Sequence, residues 1–362
     1  MSGRDALHAR ASESLTFADF AKLRESILSA APAPGARPLL DLSETAMARA
    51  LEPHKRSIDS LQVPNAGHRC HVASAWLSHF SLPDAWANRA MVTQGVRAAL
   101  NVLFSHYARR GQPVLIPSDV YPTYASLAQA TACEVQTYEA NRPLTPGTLQ
   151  ATRATAILLS NPIKPYGRLL SLDEFEALMS WLNQDRGRRI LIDAVYTFSD
   201  AISSRTLDLY ATGQVIVLHS LSKGWAQPLT AGVALLPESD VLELIPLFRA
   251  QPGLPGATKN TLTQGFALAH ALLAQDPSRP AILADVLGCK RERLHDVVRE
   301  RGITLASASW PQGQYLFVIN TGWRELLHDH DVLALPASVF RTPGIPESRS
   351  EAKQSVVSSL LL

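Results

Sequence analysis

The chain has 362 residues, 46% of them apolar and 18% charged, with a formal net charge of +2. That length implies two domains, or one large domain with an appended lobe, and the near-neutral charge argues against nucleic acid as a partner. The scattered cysteines Cys70, Cys133 and Cys289 have no paired spacing, which fits a reducing compartment and no structural zinc. The first residues lack an apolar signal core and no apolar run could span a bilayer, so a cytoplasmic protein with no membrane partner is expected.

Residues 1–60 read as an arm, with helical periodicity from Phe17 to Ser29, a break at APAPGARP and a short extended piece, LLDLSETAM. VASAWLSHF spaces its large apolar residues for a helix from Ala73 to Phe80. In MVTQGVRAALNVLF an apolar lead ends at Thr93-Gln94-Gly95 and an alanine- and leucine-rich helix follows. Its first backbone N–H groups, at Gly95, Val96 and Arg97, form a ready anion site. A plain glycine-started helix is the alternative reading.

The segments from PVLIPSDVYPTY to RRILIDAVYTFSD alternate strand and helix, and SLDEFEALMSWLNQ carries a capping box of Ser171 and Glu174. The alternation through residues 90–237 indicates an α/β fold, a mostly parallel sheet with helices on both faces. In such sheets ligands gather at the carboxyl ends of the strands, where Tyr121, Asn161, Asp193 and Lys223 all fall. Lys223 stands in a tight turn, SLSKG, between two apolar runs, and arginine far outnumbers lysine in this chain. An amine desolvated there can serve as both nucleophile and base. After about residue 240 helices and shorter strands suggest a smaller α+β lobe. The divisions expected are an arm at 1–60, a large domain at 61–245 and a small domain at 246–362. LLHDHD reads as a solvated loop rather than a metal site.

Taken together, Asp193-Ala194-Val195-Tyr196 and Ser220-Leu221-Ser222-Lys223 resemble the fold-type I pyridoxal-phosphate enzymes, specifically the class I/II aminotransferase family, over the stretch from about residue 40 to the end. The resemblance implies pyridoxal 5'-phosphate as cofactor, a Schiff base on Lys223, Asp193 on the ring nitrogen and Tyr196 on the ring oxygen. It also implies Tyr121 stacked on the ring, Asn161 and Lys164 beside it, and phosphate contacts from Gly95, Val96, Arg97, Ser220 and Ser222. An amino-acid substrate and a homodimer follow from the same resemblance.

The chain departs from the family pattern in three places. Asn161-Pro162-Ile163-Lys164-Pro165-Tyr166-Gly167 carries Lys164 where the family has a second asparagine. Thr230 stands where a phosphate-clamping arginine is usual. The late strand SVVSS holds no carboxylate-binding arginine, leaving Arg341 or Arg349 as loop substitutes. An aminotransferase is therefore expected. The alternatives are a non-transaminating pyridoxal-phosphate enzyme (β- or γ-elimination or replacement, carbon–carbon bond formation, cyclisation or oxidation, with S-adenosylmethionine as one substrate option) in specialised biosynthesis, and a non-catalytic regulatory domain.

Overall fold

The apolar runs between residues 90 and 235 hydrogen-bond into one sheet. In the computed structural model, which describes residues 15–30, 37–51, 60–65, 68–198, 204–228, 230–250, 259–303, 305, 314–342, 345 and 353–362, seven strands form it. They are β2 (Ala90–Thr93), β3 (Val114–Pro117), β4 (Val135–Tyr138), β5 (Ala156–Ser160), β6 (Arg189–Asp193), β7 (Val215–Ser220) and β8 (Gly232–Leu235). The order is β2-β8-β7-β6-β5-β3-β4. β8 alone runs antiparallel to its neighbours β7 and β2; the other pairs are parallel. β5 and β7 are buried along their whole length, which explains why they read as unbroken apolar runs rather than alternating ones.

Cross-strand register then fixes the site. Ser160 pairs with Asp193, Asp193 with Leu218, and Gly232 with both Ser220 and Thr93. The carboxyl ends of β2, β5, β6 and β7 therefore lie along one edge. On the flank of this sheet the helix Leu172–Gln184 begins at the capping box read from the sequence. Buried Glu174 also accepts from the Leu144 amide and pairs with Arg168 at 2.7 Å, anchoring the loop that follows β5.

A second apolar core surrounds two small sheets. β9 (Leu316–Ile319), β11 (Leu335–Pro336) and β12 (Ser355–Ser358) form an antiparallel set in the order β11-β12-β9; β1 (Leu40–Asp41) pairs in parallel with β10 (Val332–Leu333). Phe20, Ile27, Met47 and Leu51 pack here with Leu283, Leu287, Tyr315 and Val356, so the described part of the N-terminal segment joins this core. The helix Lys259–Gln275 packs the other way. Its Phe266, Leu268, Leu272 and Leu273 belong to the large core, against the helix Arg69–His79. Packing thus changes over between Gln275 and Arg279, whereas position 245 lies inside the helix Val241–Ala250. Hydrogen bonds that tie the cores near the site include Thr342 N to Ser118 O at 2.6 Å and Gln314 Nε2 to Pro165 O at 3.5 Å. Among the described residues, no helix is long and apolar enough to cross a membrane.

Candidate active site

Asp193 ends β6 with 5% of its surface exposed. Burial raises its carboxyl from 3.8 to about 6, against the lowering effects of hydrogen bonds from Tyr124 Oη at 2.6 Å and Val195 N at 3.1 Å and of nearby Lys223. On the neighbouring strand end, Ser220 caps a single helical turn, Leu221–Gly224, that carries Lys223. The tight turn expected from sequence is therefore helical, and it places Lys223 half-buried with Nζ 5.6 Å from the Tyr196 ring centre.

At the other side of β8 two glycines meet. Gly95 opens the helix Val96–Arg109 at φ +82°, a conformation that favours glycine. A Cβ on Gly232 would lie 2.7 Å from both Gly95 Cα and His219 O, and one on Gly95 would lie 3.7 Å from Ser220 Oγ. The bare backbone at Gly95 and the Ser220–Ser222 hydroxyl pair, 3.0 Å apart, thus share a small polar cradle at a helix N-terminus. Arg97 is exposed on the first turn of that helix.

The loop after β5 closes the opposite side. Lys164 is 4% exposed, and its Nζ lies 3.9 Å from the Tyr196 ring centre and 4.1 Å from that of Tyr315. The two phenol oxygens are 3.1 Å apart, so the rings form a clasp around the amine. Burial and the neighbouring Lys223 both push Lys164 well below the usual lysine range. Lys164 thus combines near-complete burial with a clearly lowered basicity. Asn161, by contrast, is used locally: its Oδ1 accepts from Leu170 N at 3.3 Å while its backbone N–H donates to Asp193 O at 3.0 Å.

Other sequence candidates fall differently. Tyr121 is 40% exposed and meets Tyr124 edge-on at 5.3 Å, leaving a ring face available at the mouth. Thr230 is buried and donates to Gln227 O at 2.9 Å. Arg341 is buried with its guanidinium 3.6 Å from Glu139, and Arg349 lies outside the described residues. In β12, Ser355 donates to Thr321 O. His330, in LLHDHD, has Nδ1 2.6 Å from Arg301 O, and no metal-binding cluster occurs among the described residues.

Three residues that sequence reasoning missed shape the site. Tyr124 stands one helical turn after Tyr121, a spacing that could have revealed it. Tyr315 gave no signal, being 119 residues from Tyr196. His219 sits on β7 behind Ser220, accepting from Trp76 Nε1 at 3.1 Å with Nε2 3.4 Å from Thr197 O. Burial lowers it to about 4, so it stays neutral and braces the loop that carries Tyr196.

This donor set suits pyridoxal phosphate: an amine, a buried carboxylate for the ring nitrogen, and a glycine cradle in which Gly232 has no room for a side chain and Gly95 holds a positive φ. The sequence model of the family "Aminotransferase class I and II" matches residues 71–345. No curated protein matches the chain in sequence. Among solved structures, an Escherichia coli protein described as having a methionine aminotransferase function superposes with a TM-score of 0.68 at 18% identity, covering 97% of this chain and 96% of that one. N-succinyldiaminopimelate aminotransferase from Mycobacterium tuberculosis gives 0.69 at 16% identity, covering 99% and 95%. A Thermus thermophilus aspartate aminotransferase double mutant gives 0.66 at 18%, again covering 99% and 95%. At these identities the likeness is one of fold.

Proposed function

Since the chain belongs to the aminotransferase class I and II family, whose members use pyridoxal phosphate, we propose that it is a pyridoxal-phosphate-dependent enzyme acting on an amino acid through Lys223. The observation that carries this reading is that Lys223, on the helical turn after β7, and buried Asp193, at the end of the adjacent β6, lie on one edge, with Tyr196 beside the amine. When bound, the cofactor supplies a conjugated ring that stabilises negative charge at the substrate Cα.

The chain's own residues do the rest. Asp193 holds a proton on the ring nitrogen; a cation there brings the carboxyl down from about 6 and makes the buried charge favourable. Tyr124 keeps that carboxylate pointed by its 2.6 Å hydrogen bond. Lys223 would hold the cofactor through its amine, and that amine, when free, would hold or move the proton at the substrate Cα. Tyr196 donates toward the ring oxygen. The Gly95 backbone with Ser220 and Ser222 receives the phosphate, and Tyr121 offers a ring face at the mouth. We place these functions in the larger unit, which takes in the helix Lys259–Gln275, with the N-terminal segment and the chain from Arg279 on forming the smaller one. We further propose a cytoplasmic homodimer whose subunits complete each other's pockets.

An aminotransferase outcome is the primary reading. The substitution of Lys164 for a planar amide, and a β12 free of arginine, favour a second reading in which the same Cα carbanion leads to elimination, replacement or cyclisation. The absorption spectrum of the loaded protein tests both. Borohydride should fix the cofactor on Lys223, and Lys223→Ala should abolish both the visible band and the adduct, lowering turnover by roughly 10⁴-fold or more. An unchanged band in Lys223→Ala would sink the proposal. A stoichiometric keto acid with an aminated cofactor supports transamination; ammonia or a released leaving group supports the second reading.

A further inference from the structure

A cavity opens at the edge of the seven-stranded sheet opposite the strand ends that carry Asp193 and Ser220. Arg189 at the start of β6, Gln214 just before β7 and Pro237 just after the antiparallel β8 all line it. Its volume of about 440 Å³ suits one small molecule. Four residue steps of β6, roughly 13 Å, separate Arg189 from Asp193, so the proposed chemistry makes no use of this space. We propose that the cavity is a second ligand site, one that takes a small planar aromatic carboxylate.

The lining matches both halves of such a molecule. Trp86 and Tyr210 supply an aromatic surface, with ring centres 4.8 Å apart and planes tilted by 51°. The Tyr210 hydroxyl donates to Leu236 O at 2.7 Å, which fixes its ring, while Trp86 keeps part of its surface exposed. A flat ring meets this pair favourably beyond the area it covers. The charged half falls to arginines that are not equivalent. Arg189 is closed, holding Asp240 through two hydrogen bonds of 2.7 and 2.6 Å. Arg89 meets Glu238 at 2.6 Å, but that side chain is 80% exposed, so the pair is weak and its carboxylate replaceable. Arg89 also sits beside the Tyr210 phenol, opposing the upward push of burial on it. Arg186 is exposed and has no ion pair among the described residues. Its backbone carbonyl accepts from Arg189 at 2.7 Å, which fixes its place in the lining. A ligand carboxylate thus finds one guanidinium without a counter-charge and a second whose partner can be displaced. Gln214 stiffens the wall. It is 2% exposed, and its Nε2 donates to Leu182 O, Asp185 O and Arg188 O, tying the start of β7 to the turn that carries Arg186. Its Oε1 has no hydrogen-bond partner, leaving one acceptor of the lining unused.

The test is calorimetric titration of 2-naphthoate into the full chain loaded with pyridoxal phosphate, beside 2-naphthamide and decahydro-2-naphthoate. Wild type should bind the aromatic acid at one site per chain. The acid should bind about tenfold tighter than the amide and about threefold tighter than the saturated acid. Arg89→Met and Arg186→Met should each weaken the acid about fivefold and leave the amide unchanged. Glu238→Gln, which removes the competing carboxylate, should tighten the acid about threefold. Trp86→Leu should abolish the preference for the flat ring. Lys223→Ala should leave binding as it is. Absence of saturable binding in wild type would overturn the proposal, as would equal affinity for acid and amide. Unchanged affinity in Arg186→Met or in Glu238→Gln, both at exposed side chains that the fold can spare, would overturn it too. Loss of binding in Lys223→Ala would place the acid at the candidate active site instead.

Discussion

The two ends of the site are built from different materials. At the glycine end the Gly95 backbone and the Ser220 and Ser222 hydroxyls are set by the cross-strand row of Thr93, Gly232 and Ser220, fixed by sheet register. At the other end they are side chains: Lys164 and Tyr196 come from two loops and Tyr315 from the segment leading into β9, brought together by ring contacts and the hydrogen bond between the two phenols. The first arrangement tolerates no added atom. The second tolerates exchange of residue types, because a loop can carry a different head group without disturbing the sheet. In a scaffold of this kind, reaction type is free to change at the side-chain end while the cofactor stays put.

Substitutions along the site sharpen that contrast. Between the two ends, Asp193→Asn should lower turnover about 10³-fold, because a neutral amide cannot hold a proton on the ring nitrogen. The same variant has a stability signature. Below pH 3.8 the carboxyl is neutral whether the chain is folded or unfolded. As pH rises through about 6 the folded state must charge a buried group, so cofactor-free wild type loses stability that Asp193→Asn keeps, on the order of 3 kcal/mol. Thermal melts from pH 4 to 8 read this directly, and parallel curves for the two proteins would refute it.

At the backbone end, Gly232→Ala drives a methyl into Gly95 Cα and His219 O, each 2.7 Å away. It should cost about 3 kcal/mol and release the cofactor, seen as a lower melting temperature and loss of the visible band on dialysis. Tyr124→Phe should be milder, about tenfold in turnover, with the acidic limb of the pH profile displaced upward because Asp193 loses a hydrogen bond that favours its charged form. Arg97→Ala should be the least, within about threefold in cofactor affinity, given its exposed position. A larger loss would mean that the backbone cradle alone does not retain the phosphate.

What could be read in the sequence follows the same division. The strands of the large sheet, the capping box at Ser171 and Glu174, and the glycine that starts the helix after β2 are local patterns and are present as read, whereas VLALPASVF, read as one strand, gives two short strands and a 3-10 turn over Ala337–Phe340. The antiparallel β8 was not legible: a fully buried strand shows the same unbroken apolar run in either direction. The assignment of the helix Lys259–Gln275 to the large core was equally hidden, since its apolar face matches either core. Tyr124 was within reach through its spacing from Tyr121. Tyr315 was not, because its partnership with Tyr196 spans 119 residues and depends on how the two cores meet.

His219 offers one more use of this architecture. Its ring stays neutral through the physiological range, wedged between the Trp76 indole and the Thr197 carbonyl on the far side of β7 from Ser220. Protonation therefore contributes nothing to its nitrogen resonances near neutral pH. What moves them is the distance to Thr197 O, one residue past Tyr196. Nitrogen-15 shifts of this imidazole make a native strain gauge, sensing from behind the sheet how far the Tyr196 loop travels when a ligand settles in front.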